Sequence, residues 1–152
     1  MTRKGIAWRA INSMNAVDTN VLLYSIDRPE PIKQLKAQQL LTQIRPASTS
    51  AILLWQVLAE SVAQMRRWRD QGKLTDAEFT EHVSIFRNLF PLILPVPAVL
   101  DHALDLAARF SLSHWDSMIL GACKEAGVTI LHTEDMGAPS SFDGIQLVNP
   151  FI

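Results

Sequence analysis

The amino-acid sequence predicts an α/β fold, a three-layer α/β/α sandwich around a central, mostly parallel sheet of five strands. Short apolar runs alternate with longer segments of helical periodicity along the whole chain, as expected when helices connect parallel strands. The chain has 152 residues, 48% of them hydrophobic, and a formal net charge of −1, which is typical of one globular domain. We therefore expect a single compact domain.

Capping and turn residues mark the ends of the predicted elements. Pro46 follows the first long helical pattern, and Thr75 and Glu78 have the spacing of a capping box. Ser113 is the expected N-cap of a later helix, and Gly127 is its C-terminal stop. The predicted strands are residues 15–17, 47–51, 91–97, 128–133 and 145–148, and the predicted helical segments are 20–26, 31–44, 52–68, 75–90, 99–110 and 114–125.

The first residues of the chain follow no clear pattern. Residues 1–13 are expected to be a tail or an upstream extension of a domain that spans residues 14–152. This segment has no long apolar run of the kind found in signal peptides, and no stretch approaches the roughly 20 apolar residues that cross a bilayer. The single Cys123 excludes an internal disulfide framework. We therefore expect a cytoplasmic protein that does not insert into a membrane.

Basic residues are concentrated in one stretch, "RRWRDQGK", although the near-zero net charge gives no global signal for nucleic acid. The stretch ends the long helix predicted at 52–68. One interpretation is a patch that follows RNA phosphates, and an equally weighted one is a solvated helix end. The basic residues are Arg66, Arg67, Arg69 and Lys73.

Two carboxylates in the first half of the chain are candidates for chemistry. Asp18 follows the first predicted strand directly, where ligands gather in open parallel sheets, and taken alone it also fits an N-cap for the next helical turn. Glu60 lies at the margin of the apolar stripe of its predicted helix, so a functional role and a solvated edge position are both open.

Acidic residues in the second half strengthen the case for a carboxylate site. Asp116 precedes Ile119, Leu120 and Cys123 by three, four and seven residues, which places it on the apolar face of its helix. A capping box with Ser113 is the alternative for Asp116. The acidic pair Glu134 and Asp135 follows the strand at 128–133, either as a turn or at the same sheet edge as Asp18.

Converging carboxylates repel one another unless a hard cation neutralises them, and oxygen-only ligation suits Mg²⁺ or Mn²⁺. The sequence has no G-x-x-x-x-G-K-[ST], G-x-G-x-x-G or G-x-S-x-G motif and no His and Cys at zinc spacing. His102, His114 and His132 are interpreted as structural residues. Trp55, Trp68 and Trp115 are expected to fill core or groove space.

Four segments, in order, resemble the PIN domain family, and specifically the VapC-like toxins of bacterial type II toxin–antitoxin systems. They are "VDTNVLLYSID", "SAILLWQVLAESV", "LSHWDSMILGACKEAGVTILHTEDM" and "GIQLVNPF", which together span most of residues 15–152. The resemblance implies that Asp18, Glu60, Asp116 and Asp135 hold the metal and carry catalysis. It also implies that Thr19, Asn20 and Thr133 trim the pocket, with Glu134 adjacent.

The resemblance further implies a metal-dependent endoribonuclease that acts as a toxin, with an RNA substrate, a cognate antitoxin and a homodimeric state. A catalytically inactive PIN-like module that works through protein or RNA binding is the alternative, although the full set of acids argues against it. A dehalogenase-like phosphatase with Asp18 as nucleophile ranks last, because position 20 is Asn. The segment 137–144 departs from the family pattern and leaves its contacts open.

Overall fold

The computed structural model describes residues 13–45, 50–136 and 140–152, and its helices and strands alternate along these ranges. The elements are β1 (Met14–Val17), α1 (Thr19–Tyr24), α2 (Pro31–Ile44), β2 (Ser50–Ala51), β3 (Leu53–Leu54), α3 (Trp55–Asp70), α4 (Asp76–Arg87), β4 (Leu92–Ile93), α5 (Pro97–Phe110), α6 (His114–Ala126), β5 (Ile130–His132), β6 (Ser141–Phe142) and β7 (Ile145–Val148).

The central sheet has five strands in the order β2-β1-β5-β7-β6. All pairs are parallel except β6 with β7. Strand β1 lies beside β5 with Val17 opposite His132, so the residues that follow these strands emerge at the same edge of the sheet. This confirms the predicted α/β class with a mostly parallel five-stranded sheet, and it fixes where a site would form.

One predicted member of the central sheet was wrong. Of residues 91–97, only Leu92–Ile93 forms a strand, and it pairs with β3 in a separate two-stranded sheet. Pro91 and Pro95 flank this pair, and because proline cannot donate to a ladder, little backbone is left to join a central sheet. The fifth strand is instead β6, which turns back through Asp143 and Gly144 to pair with β7.

Two helix boundaries differ from the prediction by three residues, and the others by two or fewer. The helix expected from Ile52 begins at Trp55, because the Ile52 N–H donates to the Asn15 carbonyl at 3.0 Å and the next two residues form β3. The helix expected to reach about Phe90 ends at Arg87, although its predicted Thr75 and Glu78 capping box is confirmed. Residues 1–12, 46–49 and 137–139 of the predicted tail, second strand and divergent segment lie outside the described residues.

Helices α5 and α6 pack on each other closely enough to require a glycine at the contact. A Cβ placed on Gly121 would lie 2.6 Å from the Val99 carbonyl oxygen and 2.9 Å from the Ala103 nitrogen. Cys123, one turn from the end of α6, is fully buried in the core, and this burial raises the pKa of its thiol. No described helix is long and apolar enough to cross a membrane.

Candidate active site

Asp18 stands at the carboxyl end of β1 and caps the N-terminus of α1. Its side chain accepts from the Thr19 N–H at 2.7 Å and from the Thr133 hydroxyl at 2.8 Å, while its own N–H donates to the His132 carbonyl at 2.9 Å. Only 7% of the residue is exposed. Both interpretations of Asp18 therefore meet in one residue, because the capping position also directs a buried carboxylate to the sheet edge.

Thr19 joins Asp18 to Glu60 on α3. The Thr19 hydroxyl donates to Glu60 Oε2 at 2.9 Å, and Gln56, one turn earlier on α3, donates to Glu60 Oε1 at 2.9 Å. Glu60 is half-buried, at the margin of a helix face whose buried residues include Val57. Its carboxylate is thus held by two side chains and is not a freely solvated edge group.

Thr133 joins Asp18 to the segment that follows β5. The Thr133 hydroxyl oxygen accepts from the Asp135 N–H at 3.3 Å, and the exposed Asp135 accepts from the Asn20 amide nitrogen at 2.8 Å. The segments that follow both parallel strands therefore meet at this edge. They are joined by Asn20 and Thr133, the polar residues that the family resemblance implied.

Asp116 lies in the first turn of α6 and is half-buried, while Ile119 on its own face is buried. The Ser113 hydroxyl accepts from the Asp116 backbone N–H at 3.3 Å, so the helix cap uses the backbone of Asp116. Gln56 connects this turn to the cluster, since it donates both to Glu60 and to the Trp115 carbonyl at 3.3 Å. Gln56 thus links the backbone of the first turn of α6, beside Asp116, to Glu60.

Burial and like charge act together on Asp18. Desolvation raises its pKa most, and the carboxylates of Glu60 and Asp135 raise it further. The hydrogen bonds from Thr133 and Thr19 oppose this rise, because they stabilise the ionised form. The pKa of Asp18 is raised overall, so these hydrogen bonds only partly offset burial and like charge.

The donor chemistry of this edge fits a hard divalent cation. The described part of the chain contains no ready-made group of three or more His, Cys, Asp or Glu side chains placed to hold one ion. The available atoms are nevertheless carboxylate and amide oxygens, which Mg²⁺ and Mn²⁺ prefer. Asn20 Oδ1 is buried here and has no hydrogen-bond partner within the described residues, so the edge offers an unused oxygen beside Asp135.

A lysine that the sequence interpretation did not single out lies beside these acids. Lys33 in the first turn of α2 forms an ion pair with Glu134 and donates to the Tyr24 hydroxyl at 3.2 Å. Its ammonium is 4.7 Å from the centre of the Tyr24 ring. The hydrogen bond between Lys33 and Glu134 is the main cause of the pKa shift of each partner. It lowers the pKa of Glu134 and raises the pKa of Lys33.

The basic stretch lies toward the opposite end of α3 from Glu60. Arg69 is the member with the most contacts, because it forms ion pairs with Asp70 and Asp76 and lies 4.6 Å from the centre of the Phe79 ring. Arg67 donates to Gln64 at 3.2 Å. These contacts give Arg69 a structural role, whereas RNA binding by Arg66, Arg67, Arg69 and Lys73 stays a prediction.

The histidines outside the cluster have structural contacts. His102 is paired with Glu125 at 2.9 Å, and the His114 ring lies 4.6 Å from the Trp115 ring. His132 is buried, its Nε2 bonds to Asn15 Oδ1 at 2.9 Å, and burial lowers its pKa to about 4. A neutral His132 therefore stabilises β1 against β5.

A family model described as PIN domain matches residues 16–139 of this chain. The chain belongs to the PIN domain family. The match includes the end of β1, the four acids and the start of the segment after β5, so it covers the edge described above. A search of the curated proteins finds no match.

Solved structures of toxin–antitoxin proteins share the fold of this PIN domain. A toxin–antitoxin complex from Klebsiella pneumoniae matches with a TM-score of 0.62 and 18% identity, covering 90% of this chain and 97% of that one. VapBC2 from Rickettsia felis, bound to a DNA fragment from its promoter, matches with a TM-score of 0.60 and 14% identity over 90% and 98%. VapC20 from Mycobacterium tuberculosis, a sarcin–ricin loop cleaving toxin, gives 0.57 and 13% over 77% and 86%.

Two residues of the candidate active site were not predicted from the sequence. Gln56 and Lys33 are polar residues on helical segments, where such residues are usually solvated, and nothing local distinguishes them. Only a weak signal was available for Gln56, which lies four residues before Glu60 and so on the same helix face. No comparable signal marks Lys33, because its partner Glu134 is 101 residues away in sequence.

Proposed function

We propose that this protein is a metal-dependent endoribonuclease and the toxin of a toxin–antitoxin pair that acts in the cytoplasm. The observation that carries the proposal is the linkage of Asp18 to Glu60 through Thr19 and to Asp135 through Thr133 at the carboxyl edge of parallel strands. Membership of the PIN domain family and the fold shared with VapC toxins support it.

In this proposal Asp18, Glu60, Asp116 and Asp135 hold Mg²⁺ or Mn²⁺. When bound, the metal activates water and neutralises charge that develops on the scissile phosphate. The chain's own contribution is positioning: Thr19, Thr133 and Gln56 fix carboxylate oxygens by hydrogen bonds, and Asn20 holds Asp135. Burial of Asp18 keeps water away from the side of the cluster that faces the core.

We infer that the cognate antitoxin occupies the groove between α2 and α4. This groove has a volume of about 840 Å³, with Trp68 and Phe86 in its lining and the charged Lys73 and Glu78 beside them. An apolar floor with charged edges suits an amphipathic segment of a partner protein. The similar structures from Klebsiella and Rickettsia are themselves toxin–antitoxin assemblies.

We infer that a second copy of the chain covers the apolar face formed by α5, β4, α6 and the start of α3. A groove of about 710 Å³ lies there, lined by residues that include Trp55, Ile93 and Trp115, and it borders the candidate active site through Gln56 and Glu60. Leu100 and Leu104, spaced one helical turn apart on α5, are 47% and 60% exposed. An exposed apolar patch of this kind is rare on a monomer. Leu100 and Leu104 form a ridge beside the groove, and about a twofold axis the ridge of each copy can pack into the groove of the other.

Metal binding tests the catalytic part of the proposal. Saturating Mg²⁺ or Mn²⁺ is expected to raise the free energy of unfolding by about 2–3 kcal/mol at neutral pH, because the cation binds only the folded cluster. Thermal unfolding with and without metal measures this, with NaCl of equal ionic strength as the control. If the midpoint temperature of unfolding does not change with millimolar metal, the chain does not bind the cation and the metal-dependent mechanism is wrong.

The pH dependence of that stabilisation has a defined sign. Because the folded pKa of Asp18 lies above its unfolded value, the folded chain binds the proton more tightly, and the metal-free protein gains stability from this group as pH falls through the folded pKa. Protons then compete with the cation. The stabilisation by metal should therefore shrink as pH falls toward the raised pKa of Asp18.

The dimer is tested by placing a charge on the ridge. Leu104→Glu is expected to raise the dissociation constant by about 100-fold, since an unpaired carboxylate would have to be buried in the interface. Sedimentation velocity measures the change. Leu35→Glu is the matched control, because Leu35 is 56% exposed on α2, away from this face. A parent chain that is monomeric at all concentrations would contradict the inferred interface.

A further inference from the structure

We propose that Lys33 contacts a backbone phosphate of the RNA strand that enters the acidic edge, with Glu134 and Tyr24 holding its ammonium in place. The acidic edge is the sheet edge that carries Asp18 and Asp135, together with the adjoining Glu60. This inference rests on the proposed ribonuclease function. It adds a substrate-binding group on α2, which the acidic residues alone do not supply.

The ion pair places Lys33 at the rim of the acidic edge. Its partner Glu134 stands between Thr133, which donates to Asp18, and Asp135, which accepts from Asn20. The ammonium is therefore bonded to the residue that directly precedes Asp135, a proposed metal ligand. A phosphodiester that approaches carboxylates is repelled, and a cation at the rim opposes that repulsion.

The ammonium is held firmly but retains capacity for a ligand. Lys33 donates to Glu134 and to the Tyr24 hydroxyl at 3.2 Å, and it lies 4.7 Å from the Tyr24 ring centre and 5.9 Å from that of Phe151. These contacts use two of its three N–H donors within the described residues. Its side chain is 34% exposed, so the third donor can reach a group outside the protein.

The position of Lys33 in its helix adds to the case. It is the third residue of α2, a helix of 14 residues, and the positive end of the helix dipole disfavours a cation in the first turn. Despite this cost, the ammonium of Lys33 lies at the N-terminus of α2, so that both contribute positive potential on the same side. Such an arrangement attracts an anion, and Glu134 compensates it while no RNA is bound.

The test measures binding of a fluorescent single-stranded RNA of mixed sequence to the full-length chain in an Asp116→Asn background, across a series of salt concentrations. Lys33→Met is expected to weaken binding by about three- to tenfold at low salt and to reduce the salt slope by about 0.7, the value for one lost phosphate contact on a single strand. Lys36→Met is the matched control, since Lys36 lies one turn further along α2 and donates to the Phe151 carbonyl. It should leave the slope unchanged.

A double variant separates contact from net charge. Lys33→Met with Glu134→Gln keeps the local net charge of the parent, and if Lys33 touches phosphate the double variant still binds weakly. Parental binding by the double variant would overturn the inference. Weak binding by Glu134→Gln alone would also overturn the inference. That result would mean that the ion pair matters by holding the segment after β5 in place, not by placing an ammonium against phosphate. Failure of the Asp116→Asn background itself to bind RNA at any salt would instead count against the proposed function.

Discussion

Replacing Asp116 by Asn is expected to lower the rate of RNA cleavage by about 100-fold or more while the chain stays folded. The amide keeps the size of the side chain but removes the charge that metal ligation needs. The fold should survive because the Ser113 cap uses the Asp116 backbone N–H, which the substitution leaves in place. Cleavage of a labelled RNA under single-turnover conditions measures the rate, and circular dichroism verifies the fold.

Glu125→Gln is the matched control for this variant. Glu125 lies on the same helix, but its carboxylate is paired with His102 outside the acidic edge. The control should cleave RNA at close to the parental rate. Expression without an antitoxin should arrest growth for the parent and the control but not for Asp116→Asn. If purified Asp116→Asn cleaves RNA as fast as the parent, the catalytic assignment of Asp116 fails.

The fold could be predicted where local signals and tertiary packing agree. The Thr75 and Glu78 capping box and the Ser113 cap start their helices where the sequence indicates, because these contacts join residues only three apart. The apolar run at 91–97 was misplaced because its composition is the same for a central strand and for a two-residue edge pair. Pro91 and Pro95 were the available evidence against a long ladder.

The missed strand β6 also carried a signal. Asp143–Gly144 stands directly before the alternating segment of β7, and Asp-Gly is a strong hairpin indicator. Arg109 and Lys124 both bind the Asp143 carboxylate and so attach this turn to α5 and α6. The ion pairs of Asp143 with Arg109 and Lys124 join distant parts of the chain, so local sequence could not predict them. The Asp143–Gly144 turn could have been predicted.

The acidic edge shows the same division. Asp18 and Asp135 were predictable together because each follows a parallel strand, and parallel strands end at the same edge. Thr133 was indicated only by the family resemblance. The bridging role of Gln56 between Glu60 and the start of α6 depends on how two helices approach one another. That approach is a property of the packed structure, and no single segment encodes it.

The contact between α5 and α6 gives the largest stability effect that we expect from one methyl group. Gly121→Ala should lower the free energy of unfolding by about 2 kcal/mol or more, even though alanine favours a helix by about 1 kcal/mol over glycine. The added Cβ would lie 2.6 Å from the Val99 carbonyl oxygen and 3.2 Å from the Ala103 Cα. Both are backbone atoms, so a whole helix must move to make room.

Gly127→Ala, on the residue that ends the same helix, separates steric overlap from backbone strain. Gly127 has a φ of 74° with nothing within 4 Å of an added Cβ, so its replacement should cost only about 1 kcal/mol, from the left-handed conformation. Urea unfolding monitored by tryptophan fluorescence measures both variants. If Gly121→Ala is as stable as the parent or loses less than Gly127→Ala, then α5 and α6 do not approach each other as closely as the structure places them.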